Sequence, residues 1–295
     1  MPKGVAGKER RDFAEFYAEY DPTQNMVGLS GWTVTAPLKY KGQAAMQRDI
    51  ADFKAALKGA KVTAAFMPAV APCSVAPDRN DQVYKSDEEY LFAVADVMRE
   101  EYRAIVDAGM LLQVDDAYLA HTYDTIVPPG TMEDYRKWAT VRVEALNHAL
   151  RGIPAERVRY HVCWGSWNGP HVTDVPLKAI VDLIFKVNAG SYSLEMGNPR
   201  HEHEWRVFEK VKLPNGKVLL PGVISHSTNV VEHPELVAER LVRLAKLVGR
   251  ENVIGSTDCG FAQGPFTRRV HPSIMWAKLG ALVEGARIAS KELWA

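Results

Sequence analysis

The sequence predicts an α/β fold, and within that class a (β/α)8 barrel of the TIM type. Three observations carry this. Apolar β-type runs alternate with amphipathic helical runs along most of the 295 residues. That length suits one such barrel, which runs to roughly 250 residues. The residues able to do chemistry cluster at the C-terminal ends of several different strands, where barrels place their active sites. A doubly wound sheet is the alternative, but it would normally carry a Gly-rich phosphate loop, and none is present.

The strand candidates are 27–34, 62–67, 111–115, 158–163, 192–195, 218–224 and 253–257. Most are apolar on both faces, as strands covered by helices must be. Ser86-Asp87-Glu88-Glu89 is a capping box that opens a helix, and Gly109 closes it. Thr131 with Asp134 opens the next helix, stopped by Gly152, and Asp174 with Pro176 opens another that ends before Gly190. Pro234 and Pro272 occupy first-turn positions of the last two helices. Asn215-Gly216 predicts a small hairpin leading into the 218–224 strand. With no repeat, linker or low-complexity segment, residues 1–295 read as a single barrel domain, with 1–25 as a peripheral helical arm.

Composition narrows the partners. Lys+Arg and Asp+Glu both number 36, so there is no basic excess to neutralise a nucleic acid or an anionic membrane. No run reaches the roughly 18 apolar residues of a membrane span. The charged N-terminus lacks a secretory signal core, and 3 cysteines are too few for a disulfide scaffold. A reducing, cytoplasmic setting is the expectation, with thiols free to ligate metal.

Two of those cysteines belong to the most informative constellation. His161 and Cys163, two apart on a predicted strand, point to the same face. Glu195 ends an otherwise apolar strand, and Cys259 follows Asp258 at the end of the last one. Taken singly, His161 and Cys163 read sooner as a hydrogen-bonded histidine beside a core cysteine, Cys259 sooner as a small buried hydrophobe, and Glu195 equally well as a salt-bridged carboxylate. Together at neighbouring strand ends they predict a zinc site. Two thiolates and a carboxylate leave such a site near −1, which suits holding an incoming thiol as thiolate better than activating water.

At these residues the chain resembles the catalytic barrel of cobalamin-independent methionine synthase and its shorter single-barrel relatives. The resemblance rests on Gln113-Val114-Asp115-Asp116, His161-Val162-Cys163, Leu194-Glu195, Ser225-His226-Ser227-Thr228-Asn229 and Asp258-Cys259-Gly260, in that order. It implies Zn²⁺ held by His161, Cys163, Glu195 and Cys259. It also implies that Asp115 binds the amino group of an amino-acid thiol and that His226 supplies a proton to the departing group. Asp116, Trp164, Trp167, Asn229 and Asp258 are the expected substrate-binding neighbours. The implied activity is zinc-dependent methyl or alkyl transfer to a homocysteine-like thiol.

The family barrel begins with two strands whose signature segments are absent here, so the barrel reads as incomplete at its N-terminal side. Its exposed strand edges lean toward a homodimer. Three alternatives accompany the transferase reading. One is thiol–epoxide transfer or C–S lysis of the coenzyme M type. The others are a uroporphyrinogen-decarboxylase-like enzyme and an inactive zinc-stabilised remnant. Arg200-His201-Glu202-His203-Glu204-Trp205 reads as a charged loop at the site mouth, Cys73 as a spare thiol, and Arg268-Arg269-Val270-His271 as surface charge or a site for an anionic tail.

Overall fold

The computed structural model describes residues 6–23, 32–77, 79–262 and 269–295. The strands are β1 Thr33–Val34, β2 Phe66–Val70, β3 Asn80–Asp81, β4 Leu111–Asp116, β5 Val158–Val162, β6 Ser191–Glu195, β7 Val218–Ile224 and β8 Ser256–Thr257. The helices are α1 Lys8–Asp12, α2 Ala14–Tyr20, α3 Gln43–Leu57, α4 Asp87–Asp107, α5 Tyr118–His121, α6 Tyr123–Ile126, α7 Met132–Ala149, α8 Val181–Ile184, α9 Pro234–Val248 and α10 Pro272–Leu293.

Six strands form one parallel sheet in the order β2-β4-β5-β6-β7-β8, curled into an incomplete barrel with helices on its outer side. Seven strands were expected. Of the 27–34 candidate, residues 27–31 lie outside the described residues, and Thr33–Val34 pairs with Asn80–Asp81 in a separate two-stranded sheet. That strand is therefore not part of the barrel.

Strand pleat sorts the residues into two environments. On β4, Leu112, Val114 and Asp116 are buried while Leu111, Gln113 and Asp115 are half-exposed. Val158, Tyr160 and Val162 of β5 and Tyr192 and Leu194 of β6 join the buried apolar cluster under α4 and α7. Each such Leu or Val contributes about 1.5–3 kcal/mol by burial. The other face is polar, and the register lines up Asp115, His161 and Ser193 as cross-strand neighbours. The sheet thus keeps its apolar contacts outside and presents its polar row to the concave interior.

Four helix starts match their sequence signals. Ser86 Oγ accepts the Glu89 amide, and Thr131 and Asp134 make a reciprocal capping box. Pro234 and Pro272 occupy first-turn positions, each behind a histidine whose ring caps the helix. Gly285 allows α10 to lie against α9, since a Cβ there would come within 2.5 Å of Val237.

Two expectations are corrected. The segment after Asp174 forms a 3-10 turn at Leu177–Ala179 and the short α8, not a long helix. The reason is that Asp174 turns its carboxylate to His171 and His201, and the Leu177 amide goes to Glu204 Oε1. Asn215-Gly216 does form a turn, with Gly216 at φ 73°, but no strand precedes it to make a hairpin.

Candidate functional site

His161 leaves β5 on the concave face, and Cys163 follows two residues later where the chain quits the sheet. The His161 nitrogen and the sulfurs of Cys163 and Cys259 all lie within 4.8 Å of one another. His161 Nδ1 is 3.2 Å from Ser193 Oγ. Its Nε2 is buried and has no hydrogen-bond partner among the described residues. An imidazole steadied at one nitrogen and orphaned at the other, beside two thiols, matches what zinc requires of a ligand set. Ser166 braces the thiols, its Oγ 3.4 Å from Cys163 Sγ and 3.5 Å from Cys259 Sγ, and the Gly165 amide donates to Cys163 Sγ at 3.3 Å.

The electrostatics divide labour between the sulfurs. Cys163 donates to Cys259, and with His161 this pulls the Cys259 thiol far below its usual range. The same contact, with burial, pushes Cys163 well up. Burial works against charge on His161, but Cys259 and the nearby carboxylates outweigh it and raise the imidazole to about 9. One thiolate and one imidazolium thus share the centre when no metal neutralises it.

Glu195 belongs to the adjoining cluster, in which ligand atoms of Glu195, His226 and Asp258 lie within 4.8 Å of one another. Its Oε1 accepts the Trp164 amide at 2.9 Å, and its Oε2 accepts Asn198 Nδ2 at 2.9 Å. An ionised carboxylate has about four acceptor sites, so capacity for a metal remains. Burial, then the neighbouring Asp258, pushes Glu195 up to about 8. Asp258 is fully buried and also displaced upward by burial, to about 6. It accepts the amides of Met196 at 2.9 Å and Gly197 at 2.7 Å, tying the end of β6 to the end of β8. Gly222 makes room for it, because a Cβ there would sit 2.4 Å from Asp258 Cα.

His226 is buried, with neither ring nitrogen partnered among the described residues. Burial depresses it to about 4, so it is neutral at pH 7 and offers one N–H and one lone pair rather than a full positive charge. Asp115 is half-buried on the concave face and accepts Gln113 Nε2 at 2.9 Å. Burial raises its carboxyl, while His161 opposes the rise.

The other expected substrate neighbours are placed differently. Asp116 points to the helix side, where it accepts Tyr160 OH at 2.8 Å, the Cys73 thiol at 3.1 Å and the amides of Tyr118 and Leu119. It fixes the chain after β4 and does not reach the centre. Trp164 is fully buried, its indole donating to the Val175 carbonyl and its ring against His201, so it backs the site instead of walling it. Trp167 does face the mouth, stacked on His171 with centroids 4.1 Å apart. It lines a cavity of about 140 Å³ together with His171, Glu195, Asn198, Arg200 and His226. Asn229 is exposed and bridges loops, donating to the Arg269 carbonyl and accepting the His271 amide.

Two contributors escaped the sequence reading. Asn198 donates to both Glu195 Oε2 and Asp258 Oδ2, at 2.9 and 3.1 Å, holding two buried carboxylates apart. Its signal was its place three residues past Glu195 in a strand-end loop. The arm formed by α1 and α2 docks on the loop after Cys163: Trp167 Nε1 donates to Tyr17 OH, the Asn168 amide to Tyr20 OH and the Val172 amide to Glu9 Oε2. The Arg200–Trp205 stretch does reach the mouth through Arg200 and His201, and the 3-10 segment Glu202–Glu209 follows.

Comparisons with known proteins bear on the family and the fold. Residues 69–281 match the model of the cobalamin-independent synthase catalytic domain. The 2-hydroxypropyl-CoM lyase of Xanthobacter autotrophicus is 25% identical over 291 residues, covering 90% of this chain and 70% of the lyase. The methionine synthase of Sulfurisphaera tokodaii is 28% identical over 223 residues, covering 75% of this chain and 56% of that enzyme. The chain therefore spans little more than half the length of this methionine synthase. A solved B12-independent methionine synthase from Shewanella, in complex with selenomethionine, superposes with a TM-score of 0.66 at 21% identity, covering 89% of this chain and 71% of that one. That likeness bears on the fold alone. The chain belongs to the family defined by the cobalamin-independent synthase catalytic domain.

Proposed function

We propose that this chain is a zinc enzyme that activates a thiol for carbon–sulfur bond chemistry, with alkyl transfer to the thiol as the leading reading. The observation that carries it is the meeting of His161, Cys163 and Cys259 within 4.8 Å, with an orphaned imidazole nitrogen among them. Those three side chains, with Glu195 from the adjoining cluster, would hold the metal. Zinc, when bound there, would supply a Lewis acid that lowers the pKa of an incoming thiol, so that its proton leaves to solvent and its sulfur stays nucleophilic.

The chain's own residues do the rest. Ser193 fixes the ring of His161, and Asn198 keeps Glu195 in place. Trp167 and His171 present stacked rings to the small mouth cavity. Asp115, in charge range of His161 and Cys259, supplies a carboxylate at the next strand end for a substrate ammonium. As the sulfur–carbon bond forms and the donor–carbon bond breaks, neutral His226 donates a hydrogen bond to the charge that develops on the departing group.

A second reading, thiol addition to an epoxide or its reversal, draws on the alignment with 2-hydroxypropyl-CoM lyase along 90% of the chain. Product mass separates the two. Zinc-loaded protein is offered homocysteine or 2-mercaptoethanesulfonate with methyl donors or with epoxypropane. A methylated thiol supports transfer, and a hydroxypropyl thioether supports the second reading. No new thioether from any pairing would contradict both.

A further inference from the structure

The arm formed by α1 and α2 meets the mouth cavity at one side chain, Trp167. Its indole lines that cavity together with Glu195 and His226. Three contacts fix the ring. It stacks on His171 with centroids 4.1 Å apart, meets His121 edge-to-face at 5.0 Å, and donates its Nε1–H to Tyr17 OH at 2.9 Å. The loop backbone is shaped around this indole. A Cβ at Gly165 would come within 1.8 Å of Trp167 Cζ3, and one at Gly169 within 2.0 Å of Trp167 Nε1 and 2.9 Å of Tyr17 OH.

The bond to Tyr17 has a direction. Tyr17 OH donates to Glu9 Oε1 at 2.6 Å, so its hydrogen is committed to Glu9 and a lone pair is left for the indole. The other oxygen, Glu9 Oε2, accepts the Val172 amide at 2.7 Å. Glu9 therefore ties down both the hydroxyl and the loop that carries Trp167. Its own amide donates to Asp124 Oδ1 at 3.1 Å, and Gly7 lets the arm pass there, since a Cβ would sit 1.7 Å from Asp124 Oδ2. Glu9 and Tyr17 are only 3% and 5% exposed. Burying a carboxylate carries a desolvation cost that an apolar contact would not, and an apolar contact would dock the arm as well. What the polar string adds is a fixed orientation for an indole that faces the cavity. From this geometry we propose that Glu9 and Tyr17 are positioning residues for the thiol site: acting through Trp167, they hold the indole against the entering substrate and so set its affinity. The proposal rests on the thiol-activation reading and adds the α1–α2 arm to the machinery of that site.

Two measurements on the zinc-loaded full chain test it: calorimetric titration with homocysteine and with 2-mercaptoethanesulfonate, and the proton–nitrogen correlation spectrum of the tryptophan indoles. Trp167→Phe identifies the Trp167 indole resonance. Tyr17→Phe removes the acceptor and moves that resonance. Glu9→Gln moves it too, because a carboxamide offers one acceptor oxygen where the hydroxyl and the Val172 amide need two. Both variants weaken whichever thiol the parent binds by about three- to ten-fold, with zinc content unaltered. Trp167→Ala weakens it at least as much. Adding Tyr17→Phe to Trp167→Ala changes affinity by less than about two-fold more, since the tyrosine acts only through the indole. An arm that served the fold alone would lower the thermal midpoint in these variants and leave thiol affinity unchanged. If Tyr17→Phe and Glu9→Gln bind the thiol within about two-fold of the parent, or if the Tyr17 and Trp167 effects add, the proposal is wrong and thiol activation survives. If the parent binds neither thiol, both are wrong.

Discussion

Asn198→Ala tests how the two buried carboxylates are kept apart. In the native site Asn198 Nδ2 donates to Glu195 and Asp258, and its Oδ1 accepts the amides of Arg200 at 3.0 Å and His201 at 3.1 Å. Truncation removes all four bonds from a residue only 8% exposed. A bond to a charged partner contributes about 1.5–3 kcal/mol and a neutral one about 0.5–1.5 kcal/mol. The four share one side chain and are not additive, so a net loss of about 3–5 kcal/mol is expected. The carboxylate pair also loses its common donor, which drives Glu195 further toward its neutral form and weakens it as a ligand. Zinc affinity should fall about 10–100-fold, as for other supporting partners of metal ligands. Urea titration of the zinc-free protein reads the first quantity, and competition with a chromophoric chelator reads the second. A variant within about 0.5 kcal/mol and two-fold of the parent would refute the reasoning.

Other perturbations follow from the same geometry. Cys259→Ser should lose zinc on dialysis while Cys73→Ser retains it, because the Cys73 thiol is committed to Asp116 on the helix side; elemental analysis distinguishes them. Gly222→Ala should destabilise the fold by about 1–3 kcal/mol or more, since the added carbon meets Asp258 backbone atoms at 2.4 and 2.7 Å; the thermal midpoint reports it. His201 is raised to about 10: burial opposes its charge, but Asp174 and Glu204 prevail. Its folded pKa exceeds the ordinary 6.5, so the stability it contributes is full below pH 6.5 and is lost as pH rises through about 10. Melting temperatures across that window should decline, and the decline should shrink in His201→Gln.

Strands and caps were legible because each rests on local physics. Leu111–Asp116, Ser191–Glu195 and Val218–Ile224 are short β-type runs that end on or just before a polar residue, and Ser86 and Thr131 carry their own hydrogen-bond partners three residues on. The His161-x-Cys163 spacing placed both on one face, and the structure adds Cys259 to them. What stayed hidden depended on pleat and on distant partners. Asp115 and Asp116 look alike in sequence, yet one position of register sends the first to the concave face and the second to Tyr160 and Cys73. Asp174 looked like a helix cap, and its partners His171 and His201 became apparent only once the chain was folded. The docking of α1 and α2 on the loop after Cys163 involves contacts over 140 residues apart in sequence, such as Trp167 with Tyr17, which no local pattern encodes.

The most direct test is X-ray absorption at the zinc edge of protein purified without chelator, before and after a thiol is added. The account predicts near one zinc per chain, with a first shell of two sulfurs and nitrogen or oxygen donors that gains a third sulfur on thiol addition. Absence of zinc, or a shell of two sulfurs that no thiol alters, would contradict it.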